Sequence, residues 1–328
     1  MAIKLKVSQS GMSLVELMVA MVIGLFLTAG VFTMFSMSST NVTTTSQFNQ
    51  LQENGRIALA IMERDISQLA FMGDMTGTDF IIGTNTTINS GAVPNDCVGG
   101  GNNNATLPNA TASHFRRIWG YEAGVSGVSF NCLSGVKTNT DVLQIKRFIG
   151  PNTLSPTTAS RHYVATTSSQ AIFFTGNQVT PVLASSRYWE YQHHIYFIKN
   201  DGDIPILRRR TLTVSKGMGN EEQLVEGIEN FRVLYGIDDN GDDIPNRFVP
   251  VTSVNMIMWD NQSFQRVVAV KLYFLVRSVQ QDRSYINKTI YQLGDKTGDK
   301  ALGPFNANYR RKVMSTTVVL ENPVLIRS

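Results

Sequence analysis

Between Gly11 and Met37 the chain reads GMSLVELMVAMVIGLFLTAGVFTMFSM, an apolar run broken early by one carboxylate, Glu16. A run of this length is long enough to cross a bilayer. An acid in the first turn and a half of a membrane helix is costly and marks a function. A short leader with Lys4, Lys6 and no acid precedes it. That is the charge of a secretory n-region, but the small residue, Gly11, stands before the apolar segment and not after it. A cut after Gly11 would remove the basic head and keep the apolar segment. The two lysines hold the leader on the cytoplasmic side, so the bulk of the chain is expected across the membrane.

Beyond Met37 the run Ser38 to Ser46 (SSTNVTTTS) is made of poor helix formers and predicts a weak joint. Helical periodicity then resumes. Phe48, Leu51, Gly55, Leu59, Met62, Ile66 and Leu69 share one face, and Gln47, Gln50, Glu53, Arg56, Glu63 and Arg64 lie largely off it. The helix is expected to end near Gly73. The organisation read from this is a leader over 1–11, a transmembrane and assembly helix over 12–38, an amphipathic helix half over 39–73 and a β-rich globular domain over 74–328.

Residues 74–139 read as loop, rich in Gly, Asn, Thr and Pro. From Asp141 onward strands dominate: Val142–Phe148, Gln170–Phe174, Tyr188–Ile198, Ile204–Thr213, Phe231–Ile237, Arg266–Arg277 and Val313–Leu320. Asn200-Asp201-Gly202-Asp203 is a hairpin turn by composition. Strands and helices do not alternate, which excludes a doubly wound fold. The expected class is α+β, a long N-terminal helix packed on an antiparallel sheet. The only cysteines are Cys97 and Cys132. With the domain outside the cytoplasm, one disulfide between them is the favoured reading. The glycines and asparagines at 99–104 have little capacity to pack by themselves.

The net charge of +4 gives no general argument for nucleic-acid binding. Asp238, Asn240 and Asp242 have the alternate spacing that offers oxygen ligands to Ca²⁺ from one turn; an acidic Asn-Gly turn without an ion explains the same residues. Asp201 and Asp203 form a weaker second candidate. His193 and His194 are adjacent, point to opposite faces of a strand and cannot chelate one metal together. Arg208-Arg209-Arg210 and Arg310-Arg311-Lys312 are expected to be solvated or ion-paired before they are DNA contacts. His114, Arg116, Arg117 and Trp119 are expected as solvated loop residues. No nucleophile elbow, P-loop, dinucleotide fingerprint, His-Glu-x-x-His or Cys-x-x-Cys occurs, so a non-enzymatic protein is expected.

Gly11-Met12-Ser13-Leu14-Val15-Glu16 resembles the type III signal of type IV prepilins and type II secretion pseudopilins. The resemblance implies a prepilin peptidase that cuts after Gly11 and methylates the new amino group of Met12. It also implies that Glu16 meets the free amine of a neighbouring subunit's first residue, or its own Met12 before assembly. Met12 departs from the phenylalanine usual at that position. Leu224–Asp238 (LVEGIENFRVLYGID) and Tyr309–Leu320 (YRRKVMSTTVVL) are similar to the PilW family of minor pilins, with Glu321-Asn322-Pro323 where an Arg-Asn pair is common. This implies a type IV pilin-like fold, anchored in the inner membrane with a periplasmic domain. It also implies other minor pilins and the major pilin as partners through the helix, and a place near the pilus tip beneath an adhesin. Pili of this class serve twitching motility and DNA uptake. A GspJ-like pseudopilin of type II secretion, or a tip module that binds DNA or a surface ligand, are the alternatives.

Overall fold

The computed structural model describes residues 11–322 other than Ala112 and Thr157. Leader residues 1–10, with Lys4 and Lys6, and Pro323 lie outside the described residues. The chain divides into two compact units, Met1–Asn49 and Gln50–Ser328.

Helix α1 runs Leu14–Ser67. It stays helical through Ser38–Ser46, where a joint was expected. There the hydroxyls of Thr40 and Thr43 donate to the carbonyls of Ser36 and Ser39, each at 3.0 Å, so these side chains are satisfied inside the helix. The helix ends at Ser67, short of the expected Gly73. Gly73 instead takes a positive φ of 63° beneath the Trp189 indole, where any Cβ would collide.

In the second unit the helix buries Leu51, Gly55, Ala58, Met62 and Ile66, nearly the stripe that the periodicity predicts. Burying Met62 and Ile66 contributes roughly 1.5–3 kcal/mol each. At Gly55 the helix comes so close to Met314 and Val276 that a side chain would overlap the Met314 sulfur.

Two sheets stand where one was expected. The larger contains β1 (Thr86–Ile88), β2 (Ile118–Glu122), β3 (Asp141–Thr153), β4 (His162–Thr166), β5 (Ala171–Thr175), β6 (Arg187–Asp201), β7 (Ile204–Thr213) and β8 (Gly217–Glu226). Its order is β1-β5-β4-β6-β3-β2, with β7 on β6 and β8 on β7. All its pairs are antiparallel except β1 with β5. The smaller sheet has the order β10-β9-β11-β12, from β9 (Ile228–Asp238), β10 (Arg247–Pro250), β11 (Arg266–Arg277) and β12 (Arg311–Val319). The hairpin expected at 200–203 joins β6 to β7, with Asp201 opposite Ile204.

A buried charge knot ties the two sheets. Arg232 on β9 meets Glu122 on β2 and Asp141 on β3, both at 2.7 Å, and Asp295 at 2.6 Å. Lys296 reaches the other Glu122 oxygen at 2.7 Å. Arg232 and Glu122 are 1% exposed and Asp141 is 0% exposed, so each charge depends on its partners for solvation.

Residues 74–139 are more ordered than a loop. Cys97 and Cys132 are bonded, with Cα atoms 5.0 Å apart. The glycines pack by having no side chain: Gly99 lies against Trp119 and Phe130, and Gly101 against the Arg116 guanidinium. Asn104 is buried and its Oδ1 accepts from Gln144 Nε2 at 2.8 Å and from Lys146 Nζ at 3.1 Å. The expectation that 99–104 packs poorly is therefore corrected.

Candidate functional site

Gly11, Met12 and Ser13 precede the first turn of α1 and are exposed. Ser13 caps the helix. Its Oγ accepts the Val15 N–H at 3.3 Å, and its carbonyl accepts the Leu17 N–H at 3.1 Å. Glu16 closes the exchange, its Oε2 accepting the Ser13 N–H at 3.0 Å. This is a capping box, Ser-x-x-Glu, legible in the sequence but not read there. The carboxylate therefore satisfies an orphan amide and lies at the positive end of the helix dipole. Both effects offset part of its cost in an apolar setting; the prepilin resemblance gives it the amine of a neighbouring subunit's first residue, or of its own Met12 before assembly.

Among the described residues the rest of this segment has no partner within its own unit. Met12 is 80% exposed and Phe26 77%, and the apolar side chains between Leu14 and Met37 point outward all round the helix. Thr28 and Thr33 return their hydroxyls to the carbonyls of Gly24 and Gly30, at 2.9 and 2.8 Å, and so add no unsatisfied polar group to this surface. The helix is long and apolar enough to cross a membrane by length and composition, and it fits membrane anchoring.

The other sequence candidates are used inside the fold. Asp238 is fully buried; its carboxylate accepts the N–H groups of Asn240 at 3.1 Å, Gly241 at 2.7 Å and Asp243 at 3.0 Å, and Arg266 Nε donates to it at 3.3 Å. Asn240 Nδ2 donates to Asp242 at 3.1 Å. The oxygens that the spacing offers to Ca²⁺ are taken by protein donors. Among the described residues no group of three metal-capable side chains converges. Asp201 lies exposed in the β6–β7 hairpin.

His193 and His194 do face opposite ways. His193 Nδ1 lies 3.0 Å from Thr106 Oγ1, and His194 Nδ1 lies 2.6 Å from Asp65 Oδ2. Burial, with Lys146 and His194 nearby, keeps the His193 imidazole neutral. The arginines of β7 pair across to β8: Arg208 with Glu221 at 2.7 Å, Arg209 with Glu222 at 2.7 Å and Arg210 with Glu221 at 3.4 Å. Arg310 pairs with Asp282 at 2.7 Å and Arg311 with Glu229 at 2.5 Å. The expectation of solvated residues at 114–119 is overturned. Arg116 is buried against Asp260 at 2.5 Å, and Arg117 and His114 share Asp79 at 3.1 and 2.8 Å. Their acids lie far away in sequence, which is why the cluster looked unpaired.

The family comparison agrees with this arrangement. A model of the prokaryotic N-terminal methylation motif matches residues 6–32, which hold Gly11, Met12, the capping box and the exposed apolar surface. A second model, type IV pilus-assembly protein W, matches residues 195–322, from the second half of β6 through β12. The two matches support a PilW-family type IV minor pilin. No curated protein and no solved structure matches it. The two matched stretches carry the N-terminal apolar segment and the smaller sheet. The disulfide-closed region at 97–132 lies outside both. The type IV pilin family implies interaction with other pilus components.

Proposed function

We propose that this minor pilin assembles with other minor pilins in the inner membrane, primes polymerisation of the pilus and remains near its tip. Prepilin peptidase cuts after Gly11, and Met12 becomes the N-methylated first residue. The globular unit lies on the periplasmic side and supports a tip adhesin. The protein acts as a structural subunit and not as an enzyme, in a pilus that serves motility, adhesion or DNA uptake.

The observation that carries the reading is the exposed apolar helix that bears Glu16 at its start. Among the described residues its surface has no partner within its own unit, and its one acid accepts the N–H of Ser13, the residue after Met12. Gly11→Ala tests the processing step. The variant is expected to keep the leader and to run larger than the mature protein on a gel; a mature-sized product would sink the cleavage claim. Crosslinking in the membrane, followed by identification of the captured subunits, tests the assembly step. Capture of secretion-system pseudopilins in place of pilus subunits would assign the chain to type II secretion.

A further inference from the structure

Lys146, on β3, is fully buried and forms no ion pair among the described residues. Its Nζ donates to the Ala105 carbonyl at 2.6 Å and to Asn104 Oδ1 at 3.1 Å, and lies 4.3 Å from the centre of the Phe115 ring. Burial pushes the amine well below its ordinary pKa; Asp96 and Asp79 act against this, and Arg116 and Arg117 add to it. A neutral amine uses its two N–H groups on those two oxygens and keeps its lone pair, which makes it a nucleophile.

The group beside it is an electrophile. Asn104 is 1% exposed. Its Cγ is one C=O bond, about 1.2 Å, from Oδ1, so Nζ lies within about 4.3 Å of that carbon. Gln144 Nε2 donates to the same oxygen at 2.8 Å and polarises the carbonyl where negative charge would develop. Asn104 Nδ2 donates to the Gly100 carbonyl at 3.0 Å, which fixes the oxygen end of the amide toward the lysine.

His193 stands directly opposite Lys146 in the β3–β6 ladder, so the two side chains share one face of the sheet. Burial keeps its ring neutral, and Lys146 and His194 add to the effect. Thr106 gives its one hydroxyl proton to Asp96 at 2.5 Å and so accepts from His193 Nδ1 at 3.0 Å, which leaves Nε2 as a bare lone pair. That atom and Gln144 Oε1 are buried and have no hydrogen-bond partner among the described residues. Gln144 lies two residues before Lys146 and projects from the same face. Two unsatisfied acceptors thus stand beside an amine and an amide whose reaction sets N–H protons in motion.

We propose that Lys146 and Asn104 join in an intramolecular isopeptide bond once the sheet has formed. The Nζ lone pair adds to Cγ, and the carbonyl electrons move onto Oδ1, where Gln144 Nε2 donates. His193 Nε2 takes a proton from Nζ and returns it to Nδ2. The electrons on Oδ1 then restore the carbonyl, the Cγ–Nδ2 bond breaks and ammonia leaves. One C–N bond forms and one breaks, with no oxidant, reductant or co-reactant. Burial serves the reaction, because both partners belong to the chain and water is kept from competing with the amine. The bond ties the disulfide-closed stretch to the β3–β6 ladder. It lies wholly in the globular unit and does not depend on the assembly role.

The test is intact mass spectrometry of the full chain purified in detergent, followed by tryptic mapping after reduction and alkylation. The wild type is expected to weigh one ammonia less than its sequence requires, once the disulfide, leader removal and N-methylation are counted. The digest is expected to hold a branched peptide that carries Asn104 and Lys146 together. Lys146→Met, which keeps a long side chain without the amine, is expected to show its full sequence mass. A wild-type mass with no ammonia missing overturns the proposal and leaves Lys146 as a buried hydrogen-bond donor. So does a missing ammonia that Lys146→Met retains, or one without the branched peptide, since either places the loss elsewhere. The mass and the branched peptide are both read on the wild type, so a variant that fails to fold does not decide the outcome.

Discussion

Replacing Glu16 with Gln separates two uses of one side chain. The carboxylate accepts the Ser13 N–H at 3.0 Å within its own helix, and the proposed assembly role gives it a neighbouring subunit's amine as well. Gln serves the first use, since either residue closes a capping box. It cannot serve the second as a charge. A hydrogen bond to a charged group contributes about 1.5–3 kcal/mol, which is roughly a ten- to hundredfold change in association. The cap itself contributes about 1 kcal/mol, or about fivefold. Glu16→Gln should therefore lower recovery of crosslinked partner pilins by the larger factor, with a parallel drop in pili counted by electron microscopy. Glu16→Val should lose the further, smaller factor. Ser13→Ala, which removes the hydroxyl but keeps the charge, should show the smaller factor alone. Wild-type assembly by Glu16→Gln beside defective Glu16→Val would mean that the acid only caps a helix, and the charge-pairing argument would fail.

Three further outcomes concern the globular unit, each measured on the full chain in detergent. Arg232→Met leaves Asp141 in the interior without its cation and Glu122 with Lys296 alone, and should cost about 3–5 kcal/mol in urea unfolding; a loss below about 1 kcal/mol would show that the knot is dispensable. Burial pushes the Asp79 carboxyl up, but Arg117, His114 and the Phe115 N–H outweigh it and hold the group at about 2, below its ordinary 3.8. A carboxyl depressed in the fold adds stability above its unfolded value and loses it as pH falls through its folded value. About 2 kcal/mol should therefore disappear between roughly pH 4 and pH 2, and Asp79→Asn should lack that component. Equal acid sensitivity in both proteins would refute the assignment. Removing the bond between Cys97 and Cys132, 35 residues apart, by a double Ser substitution should lower stability by about 3–4 kcal/mol, and reduction of the wild type should match it; an unchanged unfolding midpoint would contradict the chain-entropy account.

What could be read from the sequence was what depends on periodicity. The buried face of α1, the β6–β7 hairpin and the length of β11 all follow from apolar spacing and turn chemistry. The failures share a cause. β2 lies in a stretch whose Gly, Asn, Thr and Pro content reads as loop, and its neighbours Arg116 and Arg117, expected in solvent, are buried by acids distant in the chain, Asp260 and Asp79. Strand β8, GMGNEEQLVE, lacks an apolar alternation because its acids answer the arginines of β7. Hydrophobic pattern cannot register a burial that electrostatic pairing makes feasible. At the assembly segment the reverse holds. Glu16 was identified as functional from its cost in lipid, while its cheaper local role with Ser13 was overlooked, although the Ser-x-x-Glu spacing states it outright.

The knot at Arg232 has a consequence for how the chain completes itself. Its members come from residues 122, 141, 232, 295 and 296, so the last of them joins only after nearly the whole chain is in place. Until Asp295 and Lys296 arrive, Arg232 faces two acids and Glu122 lacks its second cation. Folding of the two sheets is thereby made conditional on the C-terminal segment, and a subunit truncated before it cannot mimic a finished one. Such a checkpoint is inexpensive for a filament, where one misfolded subunit would be propagated by every subunit added after it.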